Sequence, residues 1–213
     1  MKHYEKIDAI FKRDMEGDKK IVWGDIITPE VDYLKNNIWE FTEKIDGTNM
    51  RVCWDGIRVS FRGRTDKAEV PRHLYETLNE MFGTPEAEEV FEQLFGEKEV
   101  IIFGEGYGEK VGKVGKQYRS GHSFIMFDVY IDGIWLKREA VESIAKALGV
   151  DVVPIILKGT ISEGIEFMRN HPKSTIGEAF MEGLVGKPEV NLLDRTGERI
   201  IVKIKYSMFK EFK

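Results

Sequence analysis

Short apolar runs separated by polar, glycine-punctuated segments dominate the chain, which carries 21 Gly against 6 Pro. Two pairs of runs predict β-hairpins. Residues 49–54 (NMRVCW) and 57–63 (IRVSFRG) flank Asp55-Gly56, and residues 124–131 (FIMFDVYI) and 134–137 (IWLK) flank Asp132-Gly133. Asp-Gly between apolar runs favours a two-residue turn, because glycine accepts the positive φ such turns need. Further strands are expected at 38–44, 99–105, 151–157, 181–187 and 198–205. Helical periodicity takes over at 73–95, broken near Gly83-Thr84-Pro85, and returns at 137–148 and 161–170. Strands and helices are interspersed and hairpins prevail. The expected class is therefore α+β with mainly antiparallel sheets flanked by helices, not a doubly wound parallel sheet. Residues 1–37 offer no motif, and no repeat or low-complexity run is present.

Composition narrows this picture. At 213 residues, one domain is expected. With 32 Lys+Arg against 37 Asp+Glu, the net charge is −5, which argues against binding nucleic acid over the whole surface but allows a local basic groove. The single cysteine, Cys53, excludes an internal disulfide and a multi-cysteine zinc site, and fits a small buried residue. The four histidines show no paired-ligand spacing. No stretch reaches the roughly 18 apolar residues that span a bilayer, and the N-terminus lacks a signal-peptide core. No membrane partner is expected, and the expected location is the cytoplasm, or a host's cytoplasm for a viral protein. Trp23, Trp39, Trp54 and Trp135 fit core or edge aromatics. The acidic cluster from Glu86 to Glu99 fits a solvated helix face.

Candidate chemistry centres on Glu43-Lys44-Ile45-Asp46-Gly47-Thr48-Asn49, a lysine at a strand end before a tight Asp-Gly turn. Lysine is a poor nucleophile at its ordinary pKa of about 10.4, and gains from desolvation or neighbouring cations. Alone, this lysine reads as a solvated surface residue. Other polar residues, however, interrupt apolar strands in order: Arg62-Gly63-Arg64-Thr65, Gly104-Glu105-Gly106, the aromatic-rich run around Phe127, Glu182 through Lys187, and Lys203-Ile204-Lys205. Period two puts Lys203 and Lys205 on one face, which also fits a plain amphipathic strand. Gathered near Glu105 and Glu182, the lysines would make a site for a polyphosphate with a divalent cation. Lys110, Lys113, Lys116 and Arg119 recur every three residues through a glycine-rich stretch, which suggests a nucleic-acid surface or a solvated loop, its place between two predicted site strands favouring contact with substrate or triphosphate.

These segments, in this order, resemble the covalent nucleotidyltransferases, meaning ATP-dependent ligases and mRNA capping guanylyltransferases. Asn49 stands where DNA ligases and capping enzymes usually carry arginine, so the run EKIDGTN is most similar to the RNA-ligase-2-like branch. The resemblance spans roughly residues 38–206. It implies a nucleotidyltransferase (ATP-grasp-like) ligase domain using ATP with Mg2+ or Mn2+. By the resemblance, Lys44 forms the lysine–AMP phosphoramidate and Glu43 reads the adenine amino group. Asn49 and Arg64, the latter 20 residues after Lys44, surround ribose and α-phosphate. Glu105 contacts the ribose, and Phe127 stacks on the adenine. Glu182 serves the metal or the reacting phosphate, and Lys187, Lys203 and Lys205 bind phosphates. The implied activity joins a 5′-phosphate to a 3′-hydroxyl, with RNA the favoured strand.

Only eight residues follow Lys205. The expectation is a single adenylation domain over residues 1–213 without the C-terminal helical or OB domain of larger relatives, so an accessory protein or a dimer is a possible partner. A minimal DNA ligase, a GTP-dependent guanylyltransferase, and a non-enzymatic nucleotide- or RNA-binding module stand as alternatives.

Overall fold

Two hydrophobic clusters, each built on its own sheet, organise the chain in the computed structural model, which describes residues 2–212. They correspond to two compact units. A flanking unit combines Glu5–Ile45 with the residues from Pro154 onward, and a central unit combines the residues up to Tyr4 with Asp46–Val153.

The flanking unit holds a five-stranded sheet. Its strands are β1 (Asp8–Ala9), β4 (Trp39–Lys44), β11 (Ile155–Gly159), β12 (Gly183–Pro188) and β13 (Val202–Lys205), in the order β1-β13-β12-β4-β11. Only the β1–β13 pairing is parallel. A separate ribbon pairs β2 (Phe11–Arg13) with β3 (Ile21–Ile26). Among the described residues the unit also holds two α-helices, α1 (Pro29–Leu34), capped by Thr28, and α6 (Ile161–Arg169), opened by a Thr160–Glu163 capping box, and a 3₁₀ helix over Tyr206–Phe212. The strands alternate, so Trp39, Phe41, Leu184, Val202 and Ile204 all enter the buried cluster with Ile161 and Met168. The Phe41 ring is gripped by glycines. A Cβ at Gly164 or Gly186 would stand 2.7 or 2.6 Å from it.

The central sheet runs β10 (Asp151–Val152), β8 (His122–Ile131), β7 (Val100–Gly108), β5 (Thr48–Trp54), β6 (Val59–Gly63), with β9 (Ile134–Trp135) also paired to β8. Both predicted Asp-Gly hairpins form, with positive φ at Gly56, Asp132 and Gly133. Helices α2 (Arg72–Phe82), α3 (Pro85–Phe95) and α5 (Arg138–Leu148) supply Leu74, Leu78, Phe82, Phe91 and Val141 to a core shared with Met50, Val52, Ile102 and Met126. The four-residue α4 (Gly115–Tyr118) lies between β7 and β8. Cys53 is buried, and burial pushes its thiol up to about 11.

The α+β class with mainly antiparallel sheets is thus what the chain adopts. Three segments differ from the expectation. The run 151–157 is not one strand: β10 pairs with β8 in the central unit, while β11 pairs with β4 in the flanking unit. Pro154 sits at the break, where it has no N–H to give and its carbonyl accepts from the Glu43 amide at 3.1 Å. Of 198–205, only 202–205 is strand, because the stretch before it closes a turn on Asp194 and bridges Leu193 to Arg199. The N-terminal residues, without a motif in sequence, supply three short strands and a helix.

Candidate active site

Lys44 is the last residue of β4, and strand alternation decides where it points. Trp39, Phe41 and Glu43 face the core, while Glu40, Thr42 and Lys44 face the open side of the sheet. On β13, the same alternation leaves Lys203 and Lys205 on that open side. Gly183 of β12 lies in register between Lys44 and Lys205, so no side chain separates the two lysines. Glu182 joins them. Its carboxylate accepts from Lys44 Nζ at 2.6 Å and from Lys205 Nζ at 2.5 Å. Burial alone would raise the Glu182 carboxyl, but the Lys44 charge and hydrogen bonds from Lys205 and Lys44 outweigh it and hold the group below the ordinary carboxylate range. Lys203 is pushed down by burial first, then by the Lys205 and Lys44 charges. Its Nζ donates to the Ile7 carbonyl at 2.6 Å, so the residues just before β1 hold one of the site's lysines.

Two predicted residues of this unit stand elsewhere. Lys187 shares the open face but pairs in register with Glu40, four positions along β4 from Lys44 and thus roughly 13 Å away by strand rise. Glu43 is only 1% exposed and turns to the opposite face from Lys44. One of its carboxylate oxygens accepts from the Ser174 hydroxyl. The other accepts from the Thr175 amide and hydroxyl at 2.9 and 2.7 Å. Alternation buries the Glu43 side chain, and it anchors the irregular 173–180 segment behind the lysine strand. Nothing in the sequence marks Ser174 or Thr175 as its partners.

The remaining predicted residues belong to the central unit. Asn49 of β5 and Glu105 of β7 are directly opposed in register. Asn49 Oδ1 is buried with no hydrogen-bond partner among the described residues, an acceptor that a bound ligand could satisfy. Phe127 is the extra residue of a bulge. The partner of Phe103 is Asp128 and that of Gly104 is Met126, which leaves Phe127 unpaired in the ladder. Bulges re-aim a side chain in this way. The half-buried ring meets Tyr4 edge-on at 4.9 Å.

Arg64 is exposed just past β6. Arg51, fully buried in β5, brackets it: Nε donates to the Gly63 carbonyl and an Nη to Asp66, each at 2.8 Å. Hydrogen bonds from His3, then Arg51, bring the Asp66 carboxyl down to about 2. Arg51 was legible only as a charge inside an apolar run. The Asp46-Gly47 turn needs glycine for a steric reason, not for positive φ: a Cβ there would stand 2.4 Å from the Gly106 carbonyl.

Residues 37–205 match the family model described as RNA ligase. The chain belongs to the RNA ligase family. Solved structures share the fold at low identity. The Naegleria gruberi RNA ligase, as a mutant with ATP and Mn, gives a TM-score of 0.69 at 19% identity over 100% of this chain and 58% of that one. The same ligase with PPi gives 0.65 at 20% identity, over 97% and 61%, and a mutant with AMP and Mn gives 0.66 at 18%, over 98% and 61%. This chain therefore spans about three fifths of the length of those structures. No curated protein sequence matches it.

For this member of the family, the open face of the flanking sheet combines three cations and one carboxylate. That set can hold a phosphate against an amine. Among the described residues, no cluster of three or more His, Cys, Asp or Glu could cage a metal. A lone Glu182 nevertheless fits a hard cation that takes most of its ligands from phosphate oxygens and water.

Proposed function

We propose that the chain is the nucleotidyltransferase of an ATP-dependent RNA ligase, with Lys44 as the covalent nucleophile. One observation carries the reading. The lysine before the Asp46-Gly47 turn shares a carboxylate with Lys205 on a sheet face that also presents Lys203.

In the proposed reaction, the Lys44 ammonium gives a proton to solvent, its amine attacks the α-phosphorus of ATP, and a second proton leaves the nitrogen as the phosphoramidate forms. A nitrogen–phosphorus bond forms, and the bond to the bridging oxygen breaks, releasing pyrophosphate. Glu182 holds the amine in place before attack, and Lys203 and Lys205 offset charge on the phosphate as it becomes five-coordinate. A divalent cation, when bound, supplies further neutralisation of phosphate oxygens, and Glu182 is the residue that would hold it. An oxygen of the RNA 5′-phosphate then attacks the lysine-bound phosphorus, freeing Lys44 and carrying the AMP away. A 3′-hydroxyl finally attacks the activated 5′-phosphate, forming the phosphodiester and expelling AMP. Asn49, Arg64, Glu105 and Phe127 are assigned to ribose, α-phosphate and base, and Lys187 to a more distant phosphate. The buried unsatisfied Asn49 oxygen and the bulge that re-aims Phe127 support those assignments.

Mass spectrometry after incubation with ATP and Mg2+ tests the reading. One added AMP is expected on wild type and none on Lys44→Ala. An adduct surviving that substitution refutes Lys44 as nucleophile. Parallel incubation with GTP separates the guanylyltransferase alternative, and 5′-phosphorylated RNA and DNA strands separate the two ligase activities.

A further inference from the structure

We infer that residues 108–121 form a preformed docking track for the phosphodiester backbone of a single-stranded RNA end. The inference rests on the ligase reading and adds to it the place where substrate is held. Four exposed cations, Lys110, Lys113, Lys116 and Arg119, fall within ten residues of an otherwise acidic protein. Exposed lysines elsewhere on the molecule are commonly neutralised, as in Lys12–Asp25, Lys98–Asp132 and Lys158–Glu40. Among the described residues, none of these four is within ion-pair distance of a carboxylate. Unneutralised charge concentrated in one place is what a polyanion recognises, and phosphates supply most contacts that position a strand.

The segment is also held rigidly, despite its glycine content. Its ends are tied by the Glu109 amide to the Gly121 carbonyl at 2.8 Å, and its interior by Val111 to Gly108 at 3.0 Å and Gln117 to Val114 at 2.7 Å. Val111 is buried in the central core, and the Tyr118 ring packs on Tyr107 at 6.1 Å. Gly108, Gly112 and Gly121 all take positive φ. The backbone is therefore fixed while the cationic side chains stay in water, which lowers the ordering cost of binding.

Its anchor is informative as well. The Lys113 amide donates to Asp46 Oδ2 at 2.7 Å, and the Asp46 amide donates to the Tyr118 hydroxyl at 3.2 Å. Gly112 approaches so closely that a Cβ would lie 2.4 Å from the Asp46 carbonyl. Asp46 follows Lys44 by two residues. The track is thus tied through its backbone to the Asp46-Gly47 turn. The same charges could instead serve the β- and γ-phosphates of the nucleotide, and the test separates the two.

The test uses a fluorescent, 5′-phosphorylated single-stranded RNA. Its affinity is measured by anisotropy without ATP across a salt series, for wild type, for a variant combining Lys110→Ala, Lys113→Ala, Lys116→Ala and Arg119→Ala, and for a Lys137→Ala, Lys146→Ala control. The loop side chains are exposed and make no ion pair, so the variant is expected to fold, with circular dichroism as the check. Each phosphate contact contributes about 0.7 to the slope of log affinity against log salt for single strands. The expected result is binding weaker on the order of tenfold or more, with a slope shallower by about 2 to 3. The control should match wild type, and AMP-adduct formation by the loop variant should be unchanged. Unchanged affinity and slope overturn the proposal. So does lost adduct formation with RNA affinity intact, which would give the loop to the triphosphate. Absence of any adduct on wild type defeats the ligase reading instead, because the binding measurement does not use it.

Discussion

At the residue scale, the decisive group is Glu182, one carboxylate shared by two lysines. Its side chain is 22% exposed, so the pairings are partly sheltered from water, and they hold its proton affinity below the ordinary value of 4.5. A carboxyl whose folded pKa lies below its unfolded one adds stability above the unfolded value. That stability is lost as pH falls through the folded one. Glu182→Gln keeps the shape and one acceptor but leaves Lys44 and Lys205 facing each other without a counter-charge. It is expected to lower stability at neutral pH by about 1–3 kcal/mol, the range for a charged hydrogen bond. The difference from wild type should shrink as pH is taken below 4.5. Urea denaturation of both proteins at pH 7 and at pH 3.5 checks this, and a gap that widens on acidification would contradict it. Lys203, also shifted down, shares that pH slope, but for a lysine the shift costs stability at neutral pH. Its depressed affinity means that folding becomes more favourable as pH rises through the window below 10.5, where the unfolded chain still holds the proton.

At the level of elements, Phe41 is where α6 and the sheet of the flanking unit meet most tightly. Gly164 on α6 and Gly186 on β12 both press on its ring, so a methyl at either position must displace it. Gly164→Ala and Gly186→Ala are each expected to cost about 1–3 kcal/mol, the range for overpacking a filled core. Both act on one ring, so Phe41→Leu should recover part of either loss, and the double-mutant cycle should be non-additive. Full additivity in denaturant titrations would show that the ring is not the shared obstacle.

The same scale shows what the sequence carried. The break between α2 and α3 was legible because Thr84 and Pro85 are a cap and a first-turn residue, and the Thr84 side chain does accept from the Ala87 amide at 3.2 Å. The lysine face was legible because period two is enough to place Lys203 beside Lys205, and Lys44 on a strand end. The division of 151–157 between two sheets was not, since both halves are apolar and only the fold decides their partners. Two- and three-residue strands such as β1 and β2 are too short to show a period. The partners of the Glu43 carboxylate were not legible either: alternation along β4 turns it to the face opposite Lys44 and onto Ser174 and Thr175, which no pattern in the sequence marks.

For the whole molecule, the chain passes between units at Tyr4–Glu5, Ile45–Asp46 and Val153–Pro154, so each unit is assembled from distant segments yet keeps its own core. Regions with separate cores open with separate free energies, and hydrogen exchange reads those openings segment by segment. Phe91 is fully buried in the central core, and Ile204 is fully buried in the flanking one. Phe91→Ala should cost about 3–5 kcal/mol of central-unit stability. It should accelerate exchange in β7 and β8 while leaving β12 and β13 close to wild type. Ile204→Val, a milder cavity of about 0.5–1.5 kcal/mol, should do the reverse, speeding β12 and β13 selectively. Equal acceleration of all four strands by either substitution would mean that the chain unfolds as one cooperative block. The lysine face on β4, β12 and β13 would then depend on the central core as much as on its own.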